Sequence, residues 1–409
     1  MDPKPPPDRD QRPDKAAGAQ RSIGHYLKAT RAAQGLTQDQ VAAMTRQTPW
    51  SLSRAAISAI ERGQNFPGLE AMLALSHVLY VDPKELIERA RLASSVPVDL
   101  TGVSLDELER RAARYFWAGD FRRALSYYDA MAELIVLHPP EDGQSTAEHV
   151  AALEIKRATA LKRVGALSGA IATAERAIAL SIDFPRIHAE AYIVLADLQC
   201  QRGHLPLAED AAAKAVRLAE SLDPQVRGWA FMVRAQVLYM RKEHDAARRA
   251  FEEARRQAEL GGDERHLTHI DGDIGLCWLA AGRADEARQW IERALDSARR
   301  QAQPALEASW LVELGKIALG EGRVDEAEEH ASTAIRIAKS RENLLTMFRA
   351  EWLRHRIQAA VHPSEQDRHR IARLRKLFLH LDQHEGIEEV QAFKEAVLRA
   401  RPLAPRSSS

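Results

Sequence analysis

From Leu105 onward, apolar residues recur three and four positions apart, the spacing of one helical face, and the strand-type alternation of every second residue is absent. One signature repeats within this pattern. In its fullest form a turn residue is followed, after four positions, by Ala. Three positions then precede an apolar residue, and two more precede a second Ala. The instances begin at Gly119, Gly165, Gly203, Lys242, Gly282 and Gly322, with their first alanines at Ala124, Ala170, Ala208, Ala247, Ala287 and Ala327. Those alanines are 46, 38, 39, 40 and 40 positions apart. Each instance predicts a helix, a tight turn and a second helix, and the small residues let paired helices approach closely.

The pattern before the repeats is different. In Leu36–Gly63, Thr37 is an N-cap type, and Val41 and Ala42 follow on one face. Ser53 is a second N-cap type, Ile57 and Ile60 form a buried face, and Gly63 is a C-terminal stop. Two short helices joined in this way predict a helix-turn-helix. Leu36-Thr37-Gln38, Val41-Ala42, Ile57-Ser58, Ile60-Glu61-Arg62-Gly63, Pro67 and Leu79-Tyr80-Val81 resemble the Cro/phage-repressor (XRE-type) DNA-binding domain. Ile23-Gly24, Leu27, Arg31 and Gly35 match its first helix. The resemblance runs from Ser22 to about Ala90, with a fifth helix starting near Asp82-Pro83. Thr37 and Glu61 are 24 positions apart, more than in the family, and the surplus falls at Arg46–Leu52. Trp50 is expected to anchor that long turn by packing.

The repeats resemble the tetratricopeptide repeat, most clearly at Leu311, Leu314, Gly315, Ala327, Ala331 and Ala334. Their period exceeds the usual length, so either the helices gain about a turn each or the turns lengthen. The expected fold is all-α: a five-helix lambda-repressor-like DNA-binding head followed by a right-handed tetratricopeptide-repeat solenoid. The expected divisions are a disordered tail over 1–20, the head over 21–91 and a linker over 92–104. Six repeats over 105–340, a degenerate repeat with capping helices over 341–400 and a disordered end over 401–409 complete the chain.

Charge agrees with this division. Lysine plus arginine and aspartate plus glutamate both total 58. Yet Arg21–Gly63 carries six basic and two acidic side chains, whereas Leu92–Ser340 carries 32 basic and 39 acidic. A basic head on an acidic body fits DNA contact at one end. Cys200 and Cys277 lie apart inside helical patterns, which suits a reducing compartment. No long uncharged apolar run predicts a membrane span or signal peptide.

The XRE resemblance implies a DNA-contacting set of Thr37, Gln38, Ser53, Arg54, Ala55, Ser58, Ala59 and Arg62, and a structural ion pair between Arg31 and Glu61. Gln38 would reach phosphate or a base edge. Ala55 and Ala59 offer only methyl groups, so Arg54 is the long donor of the reading face, to guanine or to phosphate. The tetratricopeptide resemblance implies a solenoid groove lined by Trp229, Met232, Gln236, Tyr239, His269, Asp273, Ser309, Val312 and Lys316. His266, His269, Asp271 and Asp273 resemble a metal-binding run, but no third ligand stands at suitable spacing, so groove lining is preferred. No metal, cofactor or catalytic motif is expected.

Head and solenoid together resemble the peptide-responsive transcription regulators of bacteria. That resemblance implies a sequence-specific regulator on double-stranded DNA, as a homodimer, in the bacterial cytoplasm at the nucleoid. The solenoid would bind an effector, a peptide or a protein partner, or mediate dimerisation. Only Asn65 and Asn343 are asparagines, both outside the repeats, so the ligand class stays open. The alternative is a protein–protein scaffold whose head only anchors it or is vestigial.

Overall fold

The computed structural model describes residues 15–81, 83, 85–87, 89, 90, 98, 102–137, 145–341, 343–361, 367–379 and 388–399, among which there is no strand. They form two compact units. One runs up to Ala112 and adds Arg122–Thr146; the other is Ala113–Phe121 with the residues from Ala147 onward.

In the first unit, α1 spans Lys15–Ala33, α2 Gln38–Thr45, α3 Arg54–Glu61 and α4 Leu69–Leu79. Residues 83, 85–87, 89 and 90 are helical, where the fifth helix is expected. Residues 15–20 correct the expectation of a disordered start. Alanine at 16, 17 and 19 has the highest helix propensity, and the segment simply extends α1. Residues 1–14 and 400–409, and most of the expected linker, lie outside the described residues.

Both short helices start as their cap residues dictate. Thr37 Oγ1 accepts from the Gln40 backbone N–H, and Gln40 returns its side-chain oxygen to the Thr37 N–H at 2.7 Å, a reciprocal capping box. Ser53 Oγ accepts from the Ala56 N–H at 3.1 Å. Ile23, Leu27, Val41, Ile57, Ile60, Leu75 and Leu86 form the core beneath them. Gly24 sits where α1 meets α3. A Cβ there would lie 2.2 Å from the Ile60 carbonyl oxygen, so only glycine permits this approach.

The same unit contains most of α5 (Leu105–Trp117) and α6 (Phe121–Leu137). Arg89 fastens α6 to the head. Its side chain is 2% exposed, its guanidinium donates to Asp129 at 2.8 Å and pairs with Glu85 at 3.2 Å, and it lies 3.6 Å from the centre of the Tyr26 ring.

In the second unit the helices pair in sequence. The pairs are α7 (Thr146–Arg163) with α8 (Leu167–Leu180), α9 (Pro185–Arg202) with α10 (Leu205–Ala219), and α11 (Pro224–Met240) with α12 (His244–Leu260). Then follow α13 (Glu264–Ala280) with α14 (Ala284–Arg300) and α15 (Pro304–Gly320) with α16 (Val324–Ser340). The last three helices are α17 (Leu344–Val361), α18 (Asp367–Phe378) and α19 (Glu388–Arg399), joined by buried Phe348, Trp352, Leu374, Val390 and Phe393.

The longer period resides in the helices. From α13 to α16 every helix has 17 residues, and three-residue turns separate them, as at 281–283 and 301–303. Each first alanine of the signature is fully buried, at 0% exposure for Ala124, Ala170, Ala208, Ala247, Ala287 and Ala327. A larger side chain at any of them would force paired helices apart. Every turn residue of the signature has positive φ, from 66° at Lys242 to 87° at Gly165. Five of the six are glycine, for which that conformation carries no steric penalty; Lys242 is the exception.

Candidate functional site

The head presents α3 on a braced frame. Arg31, at the end of α1, donates to both oxygens of Glu61, at 2.6 and 2.9 Å, and to the Leu36 carbonyl at 2.7 Å. Glu61 is 4% exposed, and its hydrogen bond raises the pKa of Arg31. The side-chain amide of Gln38 donates to Glu61 Oε2 at 2.7 Å. One carboxylate thus ties the ends of α1 and α3 to the start of α2. The expected Arg31–Glu61 pair is present. Gln38, expected at DNA, has its N–H donor turned inward, because Glu61 offers it a charged acceptor in a partly buried site.

The long turn between α2 and α3 is pinned by two threonines that sequence reasoning passed over. Thr45 Oγ1 accepts from the Leu52 N–H at 3.0 Å and donates to the Ala42 carbonyl at 2.9 Å. Thr48 Oγ1 lies 2.8 Å from the Thr45 carbonyl, 3.0 Å from the Trp50 carbonyl and 3.2 Å from the Trp50 N–H. Trp50, expected as the anchor, is half-buried and outside the core cluster. Threonine hydroxyls bond readily to nearby backbone groups, and here they do so across the turn.

Beyond the turn, Ser53, Arg54, Ala55 and Arg62 are exposed, with Ser58 and Ala59 half-exposed beside them and Thr37 exposed at the start of α2. Arg54 is 66% exposed and lies 3.6 Å from Asp39, itself 70% exposed, a loose pair that leaves the guanidinium free to turn outward.

The nine residues expected in the solenoid groove divide. Val312 is fully buried in the α15 packing core, a correction: it faces the helix pair, where an apolar β-branched side chain is worth most. Met232 and Tyr239 pack partly against the core beside α12, Trp229 donates to Asp263 at 2.8 Å, and Ser309 donates back to the Ala305 carbonyl. Gln236, His269, Asp273 and Lys316 gather with charges not anticipated from the sequence.

Lys162 and Asp197 form an ion pair, to which Gln201 adds a 3.1 Å hydrogen bond. Burial opposes the charged form of Asp197, but the adjoining Lys162 ammonium outweighs it and holds the carboxyl below its usual range. Farther along, Lys316 pairs with Glu389 at 2.5 Å and Glu313 at 3.2 Å. Arg349 pairs with Glu389 at 3.0 Å and also with Glu313. Asp273 has one long contact, 3.5 Å from Gln236 Nε2. Burial pushes its carboxyl up to about 7, aided by Asp197 and Glu313. His269 is held well below its usual pKa, first by burial and then by Arg163, His266 and Lys162. A signal for one of these groups was present in the sequence: Asp197 is a lone charge inside the apolar run 191–200.

The stretch His266–Asp273 does not converge. His266 turns to Asp263 at 2.8 Å, and Asp271 is taken by Arg255 and Arg293, both at 2.9 Å. Among the described residues no helix is long and apolar enough to cross a membrane.

Residues 22–92 match the family model of a helix-turn-helix domain. No curated protein matches the sequence significantly. Among solved structures, the chain is similar to a Rap protein complexed with competence and sporulation factor, at 15% identity and a TM-score of 0.56, covering 90% of this chain and 100% of that one. It is also similar to the Rap conjugation gene regulator of plasmid pLS20, solved with a peptide, at 13% identity and a TM-score of 0.52, covering 95% and 98%. PlcR of Bacillus thuringiensis, in complex with the peptide PapR7 and DNA, matches at 13% identity and a TM-score of 0.43, covering 71% and 99%. At these identities the Rap likeness is one of fold. The chain is a helix-turn-helix domain followed by an all-helical solenoid of the tetratricopeptide and Rap type.

Proposed function

We propose that the chain is a sequence-specific DNA-binding transcription regulator whose solenoid is a ligand or partner module. The observation that carries this reading is the exposed face of α3. Ser53 caps it, the Arg31–Glu61–Gln38 circuit fixes its base, and Arg54 stands at its first position, exposed and only loosely paired with Asp39. A helix start carrying one long bidentate donor, with small residues behind it, can enter a major groove without collision. The six basic side chains of Arg21–Gly63 supply attraction to phosphate. Ala55 and Ala59 add no polar reading, so discrimination concentrates on Arg54, and a homodimer on an inverted repeat would double it. In the solenoid, buried and half-buried charges at Lys162, Asp197, Asp273, Glu313 and Lys316 lie on the first helices of the repeats, as suits a site for a polar ligand.

Genome-wide immunoprecipitation of the full chain with its DNA tests the reading. Enrichment of a short symmetric motif upstream of genes is expected. Enrichment that does not depend on sequence, or none, would favour the scaffold alternative, in which the head only anchors the chain.

A further inference from the structure

The turn between α5 and α6 differs from its counterparts. At Gly282 and Gly322, which hold the same place in later repeats, an added Cβ would meet nothing within 4 Å. At Gly119 it would lie 3.4 Å from the Cβ of Arg341, and Gly119 is buried where Gly282 and Gly322 are exposed. Arg341 caps the C-terminus of α16, in the sixth repeat. Two residues before Gly119 stands Trp117, 38% exposed, with the guanidinium of Arg265 at 4.1 Å from the centre of its ring. Arg265 lies in the first turn of α13, in the fifth repeat. At the position of Trp117 the later repeats carry Arg163, Gln201, Met240, Ala280 and Gly320, none of them aromatic.

Three features mark this contact as one that can open. A solenoid is held by each repeat packing on its neighbours, so a contact from the first repeat to the fifth and sixth is not needed for folding. The arginines are exposed, and neither side chain has a hydrogen bond or ion pair among the described residues. An exposed cation–π contact shifts an equilibrium only about two- to fivefold. The tip of the hairpin is also packed within itself. Phe116 stands edge-on to Trp117 at 5.2 Å and to Phe121 at 5.3 Å, so the tip can part from the later repeats as one piece.

We infer that the α5–α6 turn is a latch. Arg265 on the Trp117 ring and Arg341 over Gly119 hold the first repeat to the fifth and sixth, and the solenoid exchanges between this latched state and an open one. Because the contact is weak, the two states are close in free energy. Anything that binds one state better than the other shifts the balance by its difference in affinity. Ala113–Phe121 belongs to the second unit and the rest of α5 and α6 to the first, so the latch acts on the segment through which the chain passes between them. The latch needs neither a DNA site nor a bound ligand to operate, so it can fail while the regulator reading stands.

Cross-linking of the full chain tests this. The 3.4 Å separation is close to the roughly 3.5–4.5 Å between the Cβ atoms of a disulfide. Gly119→Cys with Arg341→Cys should therefore form a disulfide under mild oxidation, found by mass spectrometry of the digested monomer, while the buried Cys200 and Cys277 stay free. In small-angle scattering the oxidised protein should have a smaller radius of gyration than the reduced protein, because reduction restores the open state. Absence of the cross-link in a variant with the parent's circular dichroism would overturn the contact, and equal radii would overturn the exchange.

Two further variants decide the matter if a cysteine at Gly119, where φ is 79°, disturbs the turn. Trp117→Leu and Arg265→Gln should each speed hydrogen exchange of the amides at 117–121 about two- to fivefold, and the double variant no more than either alone. The turns at 281–283 and 321–323 should not change. Unaltered exchange in Arg265→Gln would mean that the ring only packs its own hairpin, and the latch would fall.

Discussion

Arg31 and Arg163 both stand in the last turn of a helix, yet their surroundings are opposite. Arg31 makes three hydrogen bonds within the head, two to Glu61 and one to Leu36. Arg163 makes none with the described residues of the solenoid. The head uses buried charge as a fastening: each donor has an acceptor, and the result fixes the approach of three helices. The solenoid wall uses it unevenly, with closed groups at Lys162–Asp197 and at the Lys316 quartet, and with Arg163 and Asp273 outside them. A closed circuit of charges reports on geometry the fold must keep.

The strongest test of the closed circuits is Arg89→Ala. It takes the guanidinium away from the buried carboxylates of Glu85 and Asp129, and the expected loss is about 3–5 kcal/mol. Chemical denaturation of the full chain would show an early transition for the first unit; an unchanged profile would mean that Arg89 fastens nothing. Arg31→Ala leaves Glu61 with only Gln38, and the expected loss is nearer about 3 kcal/mol, read in the same transition.

The open circuits should respond the other way. The pKa of Asp273 is raised on folding, so its contribution to stability is full below the unfolded value near 4 and is lost as pH rises through about 7. Asp273→Asn removes that loss. At pH 8 the variant should be the more stable by about 2 kcal/mol, partial exposure having reduced the full effect. At pH 4 the two should be equal. A parent whose melting temperature does not fall between pH 5 and 8 relative to the variant would contradict the open charge.

On the head, Arg54→Ala should cost about 1–3 kcal/mol at the operator and relax preference at one base pair per half-site. If Arg54 touches only phosphate, the loss would be uniform across sequences, and the salt slope would fall by about one. Titrations on operator and random DNA across a salt series separate these. The smallest expected effect is Lys242→Gly. It relieves a left-handed backbone at a turn where the other five repeats have glycine, and should stabilise the solenoid by about 1 kcal/mol. Destabilisation would mean that the lysine side chain outweighs its backbone cost.

The sequence alone determined what depends on neighbours along the chain. The caps at Thr37 and Ser53, the buried Ile57 and Ile60, the turn residues from Gly119 to Gly322 and the alanines that follow them are set by spacing and local conformational cost. The Arg31–Glu61 pair was legible too, through its likeness to a known domain. Tertiary structure decided which charge meets which. Lys162 reaches Asp197 across 35 residues, Arg349 reaches Glu389 across 40, and Arg89 reaches Asp129 across 40. It also turned Val312 into the core, drew Gln38 to Glu61 and gave the long turn to Thr45 and Thr48. The reason is physical: a cap or a helical face is fixed within one turn of chain, whereas the partner of a charge is fixed only by the packing of whole helices, and that packing is not periodic in the sequence.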